Sequence, residues 1–227
     1  MPAARWRRLV LVRHGESTWN AAGRIQGHSG GGLTERGRAQ AESVAATVAH
    51  SYPDVALIAR SDLRRVEETA GPAEARLGVP VRVDRRLREI DVGAWAGLTF
   101  EEVQERDPDG VAAWRRGEDI GRGGGETFAE LRQRVWQAVT ELVGTPGGGT
   151  VVLFTHGGPI RVAAACALGL VDLVDASATT LGPLANGSLT VLESRAGQIR
   201  LAAYNETCSA GNSAPSGSGP NRWPSPG

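Results

Sequence analysis

Cysteine is scarce in this chain of 227 residues: only Cys166 and Cys208 occur, far apart and in no C-x-x-C or Cys/His ligand spacing. That argues against a disulfide framework or a structural zinc site. A surplus of either charge is also missing, because 25 Lys and Arg balance 25 Asp and Glu. No overall field draws the chain to nucleic acid or to an anionic membrane, so any anion it binds must be held by a local cluster. Long apolar runs are lacking too. The basic start, MPAARWRR, leads into an apolar run of about four residues, against roughly 7–15 for a secretory signal and about 20 for a membrane span. A cytoplasmic, soluble protein that meets neither nucleic acid nor membrane is the expectation. No repeat of solenoid period is visible. From residue 206 to 227 the chain is mostly Ser, Gly, Pro and Asn, with a lone Trp223, too poor in apolar residues to join a core. This predicts a flexible tail after a single domain over 1–205.

What the chain does have is a strand pattern used twice. Leu9-Val10-Leu11-Val12 stops at Arg13-His14-Gly15-Glu16, and Val151-Val152-Leu153-Phe154-Thr155 stops at His156-Gly157-Gly158. A short apolar run ending in charged residues and glycine reads as a buried strand whose carboxyl end opens into a site. If the two strands are neighbours, they set two imidazoles side by side.

The remaining elements alternate. A Gly-rich loop over 23–32 precedes a helix from Thr34, as N-cap, to about His50, and then a strand over 55–59. Ser61 or Asp62 is placed to cap the next helix, with Arg64 and Arg65 in its first turn and a kink or restart expected at Gly71-Pro72, before Leu77. A strand over 79–83 follows. T-x-x-E capping boxes start helices at Thr99/Glu102 and Thr127/Glu130, and the stretch 99–125 reads as a helical cap over the sheet's carboxyl edge. Trp95, Trp114 and Trp136 are expected to pack in the core or cap. A loop over 144–149 precedes the His156 strand, a helix over 159–168 follows it, and strands over 186–193 and 199–204 form a terminal hairpin. That hairpin, or an exposed sheet edge, could pair subunits as a homodimer.

The groups that follow strands or open helices are Arg13, His14, Arg64 or Arg65, Glu89 and His156. Two guanidinium groups and two imidazoles repel one another in an empty site, so an anion is the missing partner. A phosphoryl group fits, because arginine forks hold its oxygens bidentately and a neutral imidazole nitrogen can attack it in line. His14 would become a phosphohistidine, His156 would stabilise the redistributing charge, and Glu89 would protonate the leaving alkoxide. His28 and His50 read as loop and surface residues, with His28 at the edge of the mouth.

The segments RHGESTWN, GRIQG, LTERGRAQA, SDLRRVEETA, RLREIDVGAWAGLT, GGGET and FTHGGPI, collinear over 9–192, resemble the histidine phosphatase superfamily, in its phosphoglycerate mutase-like branch. The resemblance implies a three-layer α/β/α sandwich around a mostly parallel sheet, and no metal or cofactor. It implies that His14 is the phosphorylated nucleophile, that Arg13, Arg65 and His156 complete the phosphate pocket, and that Glu89 is the proton donor. Arg65 is preferred over Arg64 because the family pattern reads S-x-L-x-R. Asn20 and Gln26 fall where the family contacts phosphate or substrate, and Ser17, Gly27 and Gly157 line the same mouth. Gly30 and Gly32 stand where relatives often have Asp and Pro, which implies a more mobile loop with fewer fixed contacts. The sequence E-I-D-V-G-A-W-A-G resembles the phosphatase side of the family, so hydrolysis of a small phosphorylated metabolite is favoured over mutase-type transfer or a non-catalytic phospho-ligand module.

Overall fold

Both faces of the strand β1 (Arg7–Arg13) are buried, which is why its apolar residues run without a polar break. Successive side chains still point to opposite faces. Leu9 and Leu11 enter one core with Val151 and Leu153, whereas Val10 and Val12 enter a second with Val152 and Phe154. The computed structural model describes residues 7–145, 148–170, 181–195 and 197–208. Its other strands are β2 (Val55–Arg60), β3 (Val81–Val83), β4 (Gly149–Thr155), β5 (Ser188–Arg195) and β6 (Gln198–Thr207). They form one sheet in the order β3-β2-β4-β1-β5-β6. The first four in that order are parallel, and the β5–β6 hairpin joins β1 antiparallel.

Two helices cover each face. On the Val10 side, α2 (Glu35–Ser51) and α3 (Arg64–Leu77) bury Val44, Ala45, Val48, Val66, Ala70 and Ala73; here α1 denotes the single turn Thr18–Ala21. The Leu9 side is covered by α6 (Phe128–Gly144) and α7 (Gly157–Ala167), after the short α4 (Phe100–Arg106) and α5 (Pro108–Arg115). This is the expected three-layer sandwich with a mostly parallel sheet. Thr34, Thr99 and Thr127 cap their helices as read from sequence. Trp95 and Trp114 are buried and Trp136 packs against the core. No helix among the described residues is long and apolar enough to cross a membrane.

Three local expectations change. α3 does not restart at Gly71-Pro72: it is continuous from Arg64 to Leu77, with Pro72 inside it. Proline costs one helical N–H donor, and burial of Val66, Thr69 and Ala70 before it and Ala73 after it offsets that loss. Neither Ser61 nor Asp62 caps this helix; the N-cap position is Leu63. Ser61 Oγ instead accepts from Leu63 N–H at 3.3 Å and meets His156, while Asp62 is drawn to Arg88 at 2.6 Å. Strand β6 passes residue 205: Thr207 pairs with Ser188 at the end of the β5–β6 ladder, and Cys208 packs against the second core. Residues 209–227, the start 1–6, residues 146–147 of the expected loop and Ala196 of the hairpin turn lie outside the described residues. The glycine-rich loop makes several contacts with its surroundings. Arg65 donates to Gly27 O at 2.7 Å and to Ser29 O at 2.9 Å, Thr18 N–H to Gly32 O at 3.1 Å, and Leu33 N–H to Glu68 at 2.7 Å.

The turn after β1 sits directly on the start of α2. A Cβ on Gly15 would lie 2.4 Å from Gly37 O, and one on Gly37 would lie 2.0 Å from Glu16 O. Only glycine at both positions allows that backbone contact, which positions His14 against the helix.

Candidate functional site

The two histidines leave adjacent parallel strands at one level. Arg13 is in register with Thr155, His14 N–H donates to Thr155 O at 3.0 Å, and the imidazole centroids of His14 and His156 are 5.2 Å apart with planes at 64°. His14 is buried. Its Nδ1 lies 2.8 Å from Gly15 O, and because a carbonyl can only accept, Nδ1 carries the proton. Nε2 is therefore the lone-pair nitrogen, and it accepts from Arg65 Nε–H at 3.3 Å.

His156 is fully buried beside the His14 ring. Its Nε2 is 3.1 Å from Ser61 Oγ, and its Nδ1 has no hydrogen-bond partner among the described residues. Arg13 is also incompletely paired: Nη1 donates to Leu184 O, and Nε is buried without a partner among those residues. Such orphaned buried donors are costly and require an explanation, of which a missing ligand is one.

The carboxylate end is supplied by the segment after β3. Glu89 accepts from Ile90 N–H at 2.9 Å and from Gly158 N–H, at the start of α7, at 3.1 Å. A Cβ on Gly157 would lie 3.7 Å from Arg13 Nε and 3.9 Å from Glu89 Oε2, so guanidinium and carboxylate converge over that glycine. The neighbouring arginines do not claim Glu89. Arg86 pairs with Asp84 at 2.7 Å and Glu141 at 2.9 Å, and Arg88 with Asp62.

Burial is the main electrostatic fact here. It pushes Arg13 and Arg65 down to about 10, partly countered by the nearby Glu89 carboxylate. Both imidazoles are held well below the usual 6.5, first by burial and then by the Arg65 charge. The site thus sets neutral histidines beside two guanidinium groups, which suits a neutral nitrogen nucleophile and an anionic guest.

These groups open onto a cleft of about 160 Å³. Arg13, His14, Arg65 and Glu89 line it, and so do Asn20, Gln26, Gly27 and Gly157. Ser17 does not: it is fully buried, and its hydroxyl caps α1 by accepting from Asn20 N–H at 3.1 Å. His28 donates from Nε2 to Glu89 O at 2.9 Å, and His50 is exposed. Among the described residues, no group of three or more His, Cys, Asp or Glu side chains is disposed to hold a metal ion.

Several neighbours had no sequence signal strong enough to find them. Asn186 Nδ2–H donates to His14 O at 3.1 Å and to Asn20 Oδ1 at 3.2 Å, from a loop 172 positions after His14. Arg134, on α6, donates to Arg86 O, Arg88 O and Glu89 O, each at 2.8 Å, and grips Glu126 through Nε at 2.6 Å and Nη2 at 2.7 Å. Glu126 also accepts from Asp91 N–H at 2.9 Å. A single arginine so fixes the backbone on either side of the Glu89 side chain. The only hint in the sequence was the Asn186-Gly187 dipeptide, a turn signal.

The sequence profile of the histidine phosphatase superfamily (branch 1) matches residues 9–207. A glucosyl-3-phosphoglycerate phosphatase of Mycobacterium tuberculosis is 39% identical over 196 residues, covering 83% of this chain and 86% of that protein. A metal-independent phosphoserine phosphatase of Arabidopsis thaliana is 34% identical over 190 residues, covering 82% and 76%. Among solved structures, a mycobacterial glucosyl-3-phosphoglycerate phosphatase in complex with VO3 superposes with a TM-score of 0.78 at 36% identity, covering 90% of this chain and all of that one.

Proposed function

This chain belongs to the histidine phosphatase superfamily, branch 1, and is a phosphoric monoester hydrolase; from that premise we propose that it hydrolyses a small phosphorylated metabolite through a phosphohistidine on His14, without a metal. The observation that carries the reading is the unprotonated Nε2 of His14, directed to the Arg65 guanidinium beside the orphaned Nε of Arg13 and Nδ1 of His156. A phosphoryl group supplies the acceptors that those donors lack.

In the first step the Nε2 lone pair forms the N–P bond while the ester P–O bond breaks, and the proton on Glu89 passes to the leaving oxygen. Water then attacks phosphorus, the N–P bond breaks, and the water's proton returns to Glu89. Arg13 and Arg65 hold the equatorial oxygens. When the Ser61 hydroxyl donates to His156 Nε2, the ring proton sits on Nδ1 and can be donated to a phosphoryl oxygen in the transition state. Asn20, Gln26, Gly27 and Gly157 bound the phosphate mouth, and residues 99–125 form the cap that selects the ester. The substrates named for the two curated relatives, glucosyl-3-phosphoglycerate and phosphoserine, are phosphate monoesters of this size class and the starting candidates. Purified protein should release phosphate from such esters in the presence of a chelator. Activity that depends on added metal overturns the metal-independent step, and isomer conversion without free phosphate turns the reading to a mutase.

Arg134 enters as a positioning residue. Arg134→Met leaves three backbone carbonyls and the Glu126 carboxylate without their shared partner, and so lets Glu89 drift. The expected result is a loss of about 10²-fold in kcat with a smaller change in KM, partly recovered by Arg134→Lys. A loss confined to thermal stability, with kcat intact, would reduce Arg134 to a structural residue.

A further inference from the structure

The three amides that follow β1 are each taken by a different element. His14 N–H donates to Thr155 O on β4 at 3.0 Å, Gly15 N–H to Thr69 Oγ1 on α3 at 3.0 Å, and Glu16 N–H to Gln40 Oε1 on α2 at 2.8 Å. The middle bond runs to the helix that also carries Arg65. Thr69 stands four residues after Arg65, one turn on and on the same face, and it is fully buried. Its hydroxyl donates back to Arg65 O at 2.6 Å. That back-bond is common for threonine inside a helix and by itself implies no function. Here it commits the hydroxyl proton and leaves an Oγ1 lone pair to accept from the Gly15 amide.

The contacts close a circuit around the imidazole. His14 Nδ1–H donates to Gly15 O at 2.8 Å, Gly15 N–H to Thr69 Oγ1, Thr69 Oγ1–H to Arg65 O, and Arg65 Nε–H to His14 Nε2 at 3.3 Å. His14, Gly15, Arg65 and Thr69 are all buried, so water does not stand in for a missing link. Gly15 is further pinned by its close approach to Gly37 O. In-line attack needs the attacking nitrogen fixed relative to the guanidinium that holds the phosphoryl oxygens. Thr69 is the side chain that ties the backbone of one to the backbone of the other.

We infer that Thr69 is a positioning residue for the His14 nucleophile: its hydroxyl, anchored on the turn of α3 that carries Arg65, holds Gly15 where its oxygen fixes the tautomer and the angle of the imidazole. The inference rests on the phosphatase reading above and adds a residue that touches neither ester nor phosphorus. A hydroxyl is required because one atom must donate to Arg65 O and accept from Gly15 N–H. Valine has the same shape and does neither.

The test compares the native protein with Thr69→Val and Thr69→Ser, using 4-nitrophenyl phosphate for turnover and 15N-labelled histidine for the tautomer. Thr69→Val should lower kcat about 10- to 100-fold, with little change in KM, because Arg65 keeps its bonds to Gly27 O and Ser29 O. Thr69→Ser should recover most of the loss. In the nitrogen spectrum without ester, the His14 signals, identified by their absence in His14→Ala, should show the Nδ1–H form in the native protein and a mixture with the Nε2–H form in Thr69→Val. A native tautomer in Thr69→Val overturns the inference whatever the rate, as does a native kcat or a loss that Thr69→Ser shares in full. Circular dichroism checks the fold, and Thr69→Ala carries the same comparison if the valine variant does not fold. If the native protein hydrolyses no ester, the hydrolytic reading falls while the tautomer comparison still decides what Thr69 holds.

Discussion

Replacing His14 with alanine is expected to lower kcat/KM for any phosphate monoester by about 10⁴-fold or more, because no other side chain can form the covalent bond to phosphorus. His156 cannot take over, because its Nε2 is committed to Ser61. The loss should fall on chemistry and not on binding, since Arg13 and Arg65 keep their backbone anchors at Leu184, Gly27 and Ser29. Rapid quenching of the native enzyme should trap acid-labile, base-stable phosphate on His14, and His14→Ala should trap none. A variant retaining more than a few per cent of native turnover would falsify the covalent mechanism. The pH profile follows from the same environment. Burial and the Arg65 and Arg13 charges keep His14 deprotonated as pH drops past 6.5, so the acid limb that His14 contributes to kcat/KM lies below that value. Stability runs in the same sense. The unfolded chain protonates its histidines first, so the contribution of His14 and His156 is fully present above about 6.5 and drains away as pH falls toward their lower folded values.

Glu89→Gln carries the second large effect. Glutamine keeps an oxygen for Gly158 N–H and Ile90 N–H but has no proton to give or take. For an alkyl ester, whose alkoxide leaves poorly, kcat should fall about 10²–10⁴-fold. A nitrophenyl ester leaves without help, so the variant should phosphorylate itself at near-native rate and then stall, because the attacking water has lost its base. The signature is a stoichiometric burst of nitrophenol and an accumulated phosphohistidine. An equal loss with both esters and no burst would remove Glu89 from proton transfer and leave it a role in shaping the site.

The chemistry was legible in the sequence because it sits at strand ends. Leu9 to Val12 and Val151 to Phe154 are continuous apolar runs, and the residue that ends such a run in a parallel sheet emerges at its carboxyl edge. That put Arg13, His14 and His156 in one place before any coordinates. Ser61 shows the limit. Read locally it is a helix cap, yet His156, 95 positions away, engages its hydroxyl. Pro72 misled for a related reason, since a local breaker signal carries no information about the burial that holds α3 together on both sides of it. Ser17 was expected at the mouth, and its capping of α1 turns it inward.

By itself the sequence determined the alternation of strands and helices, the identity of the residues at the carboxyl ends of β1 and β4, and the family, because periodicity, capping and motif order are local properties of the chain. Tertiary structure alone decided which nitrogen of His14 is free, which arginines are already paired, how Arg134 grips the segment carrying Glu89, and that Thr69 ties Gly15 to the turn of α3 carrying Arg65. Those outcomes depend on contacts between segments tens to more than a hundred residues apart, where burial and competition for hydrogen-bond partners settle what each charged group is left to do.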